Sequence, residues 1–216
     1  MNLVVIIGGS SGIGLSLMKT LSNDCTVVNI SRNSAEGLNN IKADVTNRES
    51  ISKAFNELLK VYGIPDIMVY CSGFVDPQGI LEITKETWGK TIETNLTGAF
   101  YCTQEYVKAA KEKGGKIVYI SSTSGMRPQP GWSAYAASKA GLINFSLTMA
   151  EELKDYNMKV YCLAPGRCAT PLRKILAPNE DPKTIMQPQE VAQFIEYLIT
   201  NENLIDNQVI VVKKYK

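Results

Sequence analysis

The sequence predicts a single-domain α/β protein built on a doubly wound parallel sheet of about seven strands, with helices on both faces. Three observations carry that expectation. Apolar runs of strand length alternate along the chain with stretches of helical period, the pattern of strands buried on both sides. A glycine cluster follows the first apolar run and opens the first helical stretch. The chain has 216 residues, 44% of them hydrophobic and 20% charged, which suits one soluble α/β domain spanning residues 1–216. A domain of this size buries about 70% of its unfolded surface and needs no staples.

The elements follow in order. Leu3–Ile7 is the first strand, and Ile13–Leu21 carries apolar residues at helical spacing. Thr26–Ile30 is the second strand and Ile41–Ala43 a short third. Thr46-Asn47-Arg48-Glu49 has the form of a capping box and opens a helix to about Val61, with Ile51, Ala54, Phe55, Leu58 and Leu59 on one face. Ile67–Tyr70 is the next strand, and Thr84–Lys111 reads as helical with a break or bend. Lys116–Ser121 is a strand, Tyr135–Lys154 a long helix and Lys159–Leu163 a strand. Pro188–Thr200 is a helix with proline near its start, and Gln208–Val212 is the last strand. Between the strand Lys159–Leu163 and the helix Pro188–Thr200, 170–187 is the least regular stretch, and a loop of that length in a compact domain is usually functional or mobile.

Composition excludes several functions. The net charge is +2 and the basic residues are scattered, unlike the clustered face that nucleic acid requires. Lys213, Lys214 and Lys216 read as a solvated tail. Five cysteines without a C-x-x-C argue against a disulfide framework and a metal site. The opening residues have no basic region and are too short to span a bilayer, so a reducing cytoplasm is expected. The chain contains no histidine. Ser-His-Asp and Cys-His catalysis are therefore excluded, and any general acid must be another residue type.

Gly8-Gly9-Ser10-Ser11-Gly12-Ile13-Gly14 sits between the first strand and the first helix. Glycines permit the tight turn and the close approach of a pyrophosphate, and the helix N-terminus offers unpaired N–H groups and a positive dipole end. The same residues satisfy the G-x-S-x-G of a hydrolase nucleophile elbow, a reading that fails for want of a histidine base. Ser16-Leu17-Met18-Lys19 also matches S-x-x-K, but inside a helix and without partner motifs.

Tyr135 and Lys139 are four apart in a helical run and so share a face. An ammonium beside a phenol stabilises the phenolate and lowers its pKa from about 10, making tyrosine a usable acid or base without histidine. Ser122 ends the strand before them, where ligands meet parallel sheets.

With these residues in hand, the chain resembles the short-chain dehydrogenase/reductase family nearly end to end. Gly8, Gly12 and Gly14 match its glycine motif, Asp44-Val45 its acidic pair on the adenine, Asn95 its catalytic asparagine, and Tyr135-Ala136-Ala137-Ser138-Lys139, with Ser122 upstream, its catalytic set. Pro165-Gly166 with Thr170 matches the segment that covers the nicotinamide. The resemblance implies a Rossmann fold and hydride transfer between a nicotinamide dinucleotide and a carbonyl or alcohol carbon. Tyr135 would exchange the proton, Lys139 lower its pKa and hold the ribose, Ser122 orient the substrate and Asn95 fix a water. Ser10, Ser11 and Ile13 join the glycines as cofactor contacts. Tyr70-Cys71-Ser72-Gly73 replaces the family's Asn-Asn-Ala-Gly; Cys71, Ser72 and Gly73 still approach the adenosine ribose, but the bracing asparagine is lost. The usual Asp-Gly-Gly after the last strand is also missing. The family's dimers or tetramers imply a homo-oligomer built on the helices that begin near Thr84 and Tyr135.

At the end of the second strand Ser31 stands where an NAD enzyme carries an acid, and Arg32 follows. Arginine accommodates a 2′-phosphate, so NADP(H) is favoured over NAD(H). Arg167, Arg173 and Lys174 place three cations near the site, and guanidinium forks match phosphate and carboxylate. The expected substrate is a small carbonyl or alcohol of sugar, polyol or sugar-phosphate type. The Arg-x-x-Thr-Pro-Leu-Arg run at 167–173 is similar to reductases of bacterial surface-polysaccharide synthesis. The competing reading is a non-catalytic dinucleotide-sensing or scaffold protein on the same fold.

Overall fold

The computed structural model describes residues 2–201 and 209–214. Gln208, expected to begin the last strand, and Lys216 of the basic tail lie outside them. The strands are β1 (Leu3–Ile7), β2 (Thr26–Ser31), β3 (Asn39–Lys42), β4 (Ile67–Tyr70), β5 (Gly115–Ile120), β6 (Met158–Pro165) and β7 (Val209–Val212). They form one sheet in the order β3-β2-β1-β4-β5-β6-β7, every neighbouring pair parallel. The order reverses between β1 and β4, the switch point where such sheets open a crevice for ligands.

The helices are α1 (Gly12–Leu21), α2 (Arg48–Val61), α3 (Lys85–Ile92), α4 (Gly98–Ala110), α5 (Ser133–Glu152), α6 (Pro171–Leu176) and α7 (Pro188–Thr200). They cover both faces. Because strand side chains alternate, Val5 and Ile7 join Phe55, Cys102 and Leu142 of α2, α4 and α5 in one core. Val4 and Ile6 join Leu17, Met18, Val191 and Ile195 of α1 and α7 in the other. Val4, Val5, Ile6 and Ile7 are fully buried, each worth about 1.5–3 kcal/mol of transfer free energy. That two-sided burial is why β1 reads as continuously apolar.

Three local expectations need correction. The cap of α2 is Asn47, whose side chain accepts from Ser50 N at 2.8 Å. Thr46 is not the cap, because its hydroxyl donates to Asp44 Oδ1 at 2.8 Å. The break inside 84–111 is a π turn over Glu93–Thr97 that joins α3 to α4. The stretch 170–187 is more ordered than its prolines suggest: Thr170 accepts from Arg173 N and caps α6, with Pro171 in the first turn, and Pro182–Thr184 forms a second turn. Among the described residues no helix is long and apolar enough to cross a membrane, and no cluster of three metal-ligating side chains occurs. The five cysteines are free thiols.

Candidate active site

The turn after β1 is shaped by two close approaches. Gly8 has φ +92°, and a Cβ there would lie 2.7 Å from Ser72 N. At Gly14 a Cβ would lie 2.2 Å from Gly8 O, so α1 can pack on the turn only without a side chain. Asn29 of β2 fixes the turn from below. Fully buried, it accepts from Gly9 N at 2.8 Å and donates to Asn40 Oδ1 at 2.8 Å and to Ser31 Oγ at 3.0 Å. The N-cap of α1, Ser11, makes no side-chain capping bond. The first N–H groups of the helix therefore face the cleft without an internal partner, as an anion site requires. The residues fit a dinucleotide pyrophosphate.

A cleft of about 460 Å³ opens above this turn at the C-terminal edge of the sheet. It is lined by every residue the sequence selected for cofactor, catalysis or substrate except Asn95 and Lys174. Trp132, Arg127, Gln129, Leu172 and Leu176 also line it, and sequence reasoning did not select them. Trp132 had a readable signal, since it lies three residues before Tyr135 and the two rings meet edge to face at 6.4 Å.

At the end of the cleft beside β3, burial acts to raise the Asp44 carboxyl, but two hydrogen bonds from Thr46 and the charge of Arg32 outweigh it and hold it below its usual value. Arg32 is exposed at the rim. Ser31, which stands where an NAD enzyme carries an acid, lines the cleft but is buried, and its hydroxyl donates to Asn33 O at 2.6 Å. It shapes the bend that carries Arg32.

At the other end, Ser122, Tyr135 and Lys139 come together. Ser122 ends the β5 edge and accepts from Ser124 N at 3.1 Å. Lys139 is 3% exposed. Its ammonium donates to Ile120 O at 2.9 Å, while Ser121 Oγ donates to Lys139 O at 2.8 Å. This reciprocal pair bolts α5 to the end of β5. Burial brings the Lys139 pKa down to about 8. For Tyr135 burial is the largest influence and raises the phenol, against a hydrogen bond from Ser122 and the charge of Arg173. The net direction is upward, where a lowering by Lys139 was expected. The ammonium is turned to Ile120 and stands 5.8 Å from the centre of the phenol ring.

Asn95 occupies the π turn and is fully buried. Its Oδ1 accepts from Phe74 N at 2.7 Å, and its Nδ2 donates to Phe74 O and to Ser138 Oγ, both at 2.9 Å. Both amide hydrogens are engaged, so the side chain braces the loop after β4 against α5 and cannot donate to a water. Thr170 likewise uses its hydroxyl to cap α6. Its methyl carbon packs toward Gly12.

Of the three expected substrate cations, Arg173 and Arg167 are not free. Arg173 donates to Glu180 through Nε at 2.6 Å and Nη2 at 2.9 Å, and Arg167 reaches the same carboxylate at 3.0 Å. Two hydrogen bonds and the charge of Arg173, with Arg167 adding less, hold the Glu180 carboxyl below its usual value. Arg173 also stands 5.9 Å from the centre of the Trp132 ring. One carboxylate thus offsets much of the positive field from which an anionic substrate was expected at Arg167 and Arg173.

A family model described as short chain dehydrogenase matches residues 2–181. A 3-oxoacyl-acyl-carrier-protein reductase of Synechocystis is 33% identical, over 91% of this chain and 88% of that protein. Its counterpart in Thermotoga maritima is 32% identical, over 92% and 90%. Among solved structures, a Brucella melitensis protein described as ribose-5-phosphate isomerase superposes with TM-score 0.90 and 25% identity, over 98% of this chain and 90% of that one. ElxO with NADP bound gives TM-score 0.87 and 26% identity, over 98% and 97%. The fold, the glycine turn and the Ser-Tyr-Lys cluster agree with that match: the chain belongs to the short-chain dehydrogenase/reductase family and is an NAD(P)-dependent oxidoreductase.

Proposed function

We propose that this protein reduces a carbonyl carbon to an alcohol with NADPH, acting as one cofactor-binding unit over residues 1–216. The observation that carries the reading is that Ser122, Tyr135 and Lys139 stand in the same cleft as the open N-terminus of α1. The bound cofactor supplies the hydride. The first N–H groups of α1 hold its pyrophosphate, Asp44 and Val45 receive the adenine, and Arg32 takes the 2′-phosphate. ElxO, a structural relative, carries NADP, which supports that choice.

Tyr135 is the proton donor. A phenol held above its ordinary pKa is protonated at neutral pH, so it can give its proton to the substrate oxygen as negative charge develops there. Ser122 orients that oxygen by hydrogen bonding and then supports the resulting phenolate together with Arg173. Lys139, anchored on Ile120 O, directs its remaining N–H groups toward the ribose and adds positive charge. Asn95 acts as a brace that keeps α5 in register.

The first substrate reading is a 3-oxoacyl thioester, supported by the names of the relatives. A phosphorylated sugar or polyol is the second, favoured by Arg127 and Arg167 at the mouth of the cleft. A homodimer or homotetramer fits the half-exposed Trp88, Phe100 and Leu147 on α3, α4 and α5. A reducing cytoplasm fits five free thiols.

The test follows NADPH oxidation with acetoacetyl-N-acetylcysteamine and with ribulose 5-phosphate as separate substrates. Turnover with either, abolished in Tyr135→Phe, supports the reading. Binding of NADPH without turnover on any carbonyl would favour a dinucleotide-sensing role instead.

A further inference from the structure

We infer that a second groove beside the catalytic cleft is a subsite for a phosphate group carried by the substrate. The inference rests on the carbonyl-reductase reading for its biological sense, but the groove is a separate structural feature. It encloses about 430 Å³. Its walls come from three chain segments at the C-terminal edge of the sheet: the turn after β5, the segment after β6 and the end of β7.

Among the described residues, four cations line this groove, Arg127, Arg167, Lys213 and Lys214, and no acidic side chain does. Arg127, Lys213 and Lys214 make no hydrogen bond or ion pair through their side chains among the described residues. Arg167 meets Glu180 through Nη1 only, and its side chain remains 50% exposed. Among the described residues the Glu180 contact to Arg167 is the one counter-charge to this group; the like charges otherwise repel one another, and an anion relieves that repulsion. Guanidinium and ammonium groups together are the donor set that phosphate oxygens use.

The frame that holds the cations is fixed by backbone hydrogen bonds. Gly166 N donates to Val212 O at 2.8 Å, which ties the segment after β6 to the end of β7. Met186 N donates to Arg167 O at 3.2 Å and Ala169 N to Met186 O at 2.8 Å, and they set the buried Ile185 as an apolar patch of the lining.

Position separates this groove from the cofactor's own phosphates. The pyrophosphate turn follows β1 and the 2′-phosphate reader follows β2, whereas the groove lies at β5, β6 and β7. From β2 to β6 is four strand spacings, about 19 Å at roughly 4.8 Å each. The groove is instead continuous with the substrate end of the cleft. Thr123, Arg127, Gly166 and Arg167 line both cavities, and Thr123 directly follows Ser122. A molecule with its carbonyl at Ser122 and Tyr135 can therefore place an anionic end among the four cations. Two substrate types carry such a phosphate: a phosphorylated ketose, and a thioester on a phosphopantetheine arm.

Calorimetric titration of the NADP-loaded protein distinguishes them. The probes are ribitol 5-phosphate and coenzyme A, with ribitol and pantetheine as their phosphate-free counterparts. One phosphorylated probe is expected to bind, its counterpart at least tenfold more weakly. The Arg127→Ala/Lys213→Ala variant is expected to lose at least tenfold in affinity for that probe while its NADPH affinity, the check on folding, stays constant. The probe that binds identifies the substrate type. Absence of binding by both phosphorylated probes, or equal binding by the variant, overturns the subsite. If a probe binds as expected but no carbonyl is reduced, the subsite stands and the reductase reading fails.

Discussion

The hydroxyl of Tyr70 donates to the carbonyl of Thr94 at 2.6 Å, and both residues are buried. Tyr70 ends β4, and Thr94 lies in the π turn between α3 and α4. The family's asparagine in the motif after this strand is absent, and the bond from Tyr70 ties the same loop region to the helix pair. Tyr70→Phe leaves a buried carbonyl without this donor, which costs about 1–3 kcal/mol. A urea-denaturation midpoint that does not move would show that the contact contributes nothing.

Tyr135→Phe removes one oxygen and almost no packing. Turnover should fall by roughly 10²–10⁴-fold, the usual contribution of a positioned acid, with the dissociation constant for NADPH unchanged. Stopped-flow turnover and fluorescence titration on the same preparation separate the two effects. Retained turnover would assign the proton to another group.

Lys139 carries a cost to folding. Burial lowers its pKa from 10.5 to about 8, so below pH 8 the native state must bury an ammonium that the unfolded chain keeps in water. Between about pH 8 and 10.5 the unfolded chain holds the extra proton, and wild-type stability should rise with pH in that window. Lys139→Met should therefore be inactive yet more stable than wild type at pH 7, by about 1–3 kcal/mol. The margin should shrink as pH climbs toward 10.5. A variant less stable than wild type at pH 7 contradicts this account.

Arg32→Ala should weaken NADPH binding about tenfold and leave NADH unchanged, since a charge-assisted contact to phosphate is worth about 1.5–3 kcal/mol. Parallel titrations with the two dinucleotides read this directly. Equal losses for both would mean that Arg32 stacks on the adenine rather than reading the phosphate.

Glu180→Gln breaks the link that joins Arg167 and Arg173. The segment 171–184 should exchange its amides several-fold faster, with the exchange of β1 and β4 unaltered. Because the partners hold the Glu180 carboxyl low, wild type should lose the same protection, relative to the slower intrinsic exchange in acid, only as pH falls through that lowered value. Unchanged exchange in the variant would show that α6 is held by Thr170 and packing alone.

The sheet was legible because its signals are local. β1 and β4 have the bounds the apolar runs gave them, and Tyr135 and Lys139 share a face because four residues is one helical turn. What escaped depends on partners brought together by folding. The cap of α2 fell to Asn47 because Asp44 takes the hydroxyl of Thr46, a competition that spacing does not reveal. Arg173 looked like a free cation because its partner Glu180 lies beyond Pro178. Asn95 was expected to hold a water, and only the approach of Phe74 and Ser138 shows its amide engaged.

The π turn over Glu93–Thr97, closed by Gly98 N donating to Glu93 O, makes this stretch of chain intolerant of changes in length. Each residue of an α-helix turns the chain by about 100°. Deleting one residue here would restore an uninterrupted helix and rotate the remaining residues of the turn about its axis by that angle. Thr94 O would swing away from Tyr70, and Asn95 from Phe74 and Ser138. Side chains in this stretch can be exchanged one at a time, but its residue count is fixed by the loop and the helix that it must meet at the same time.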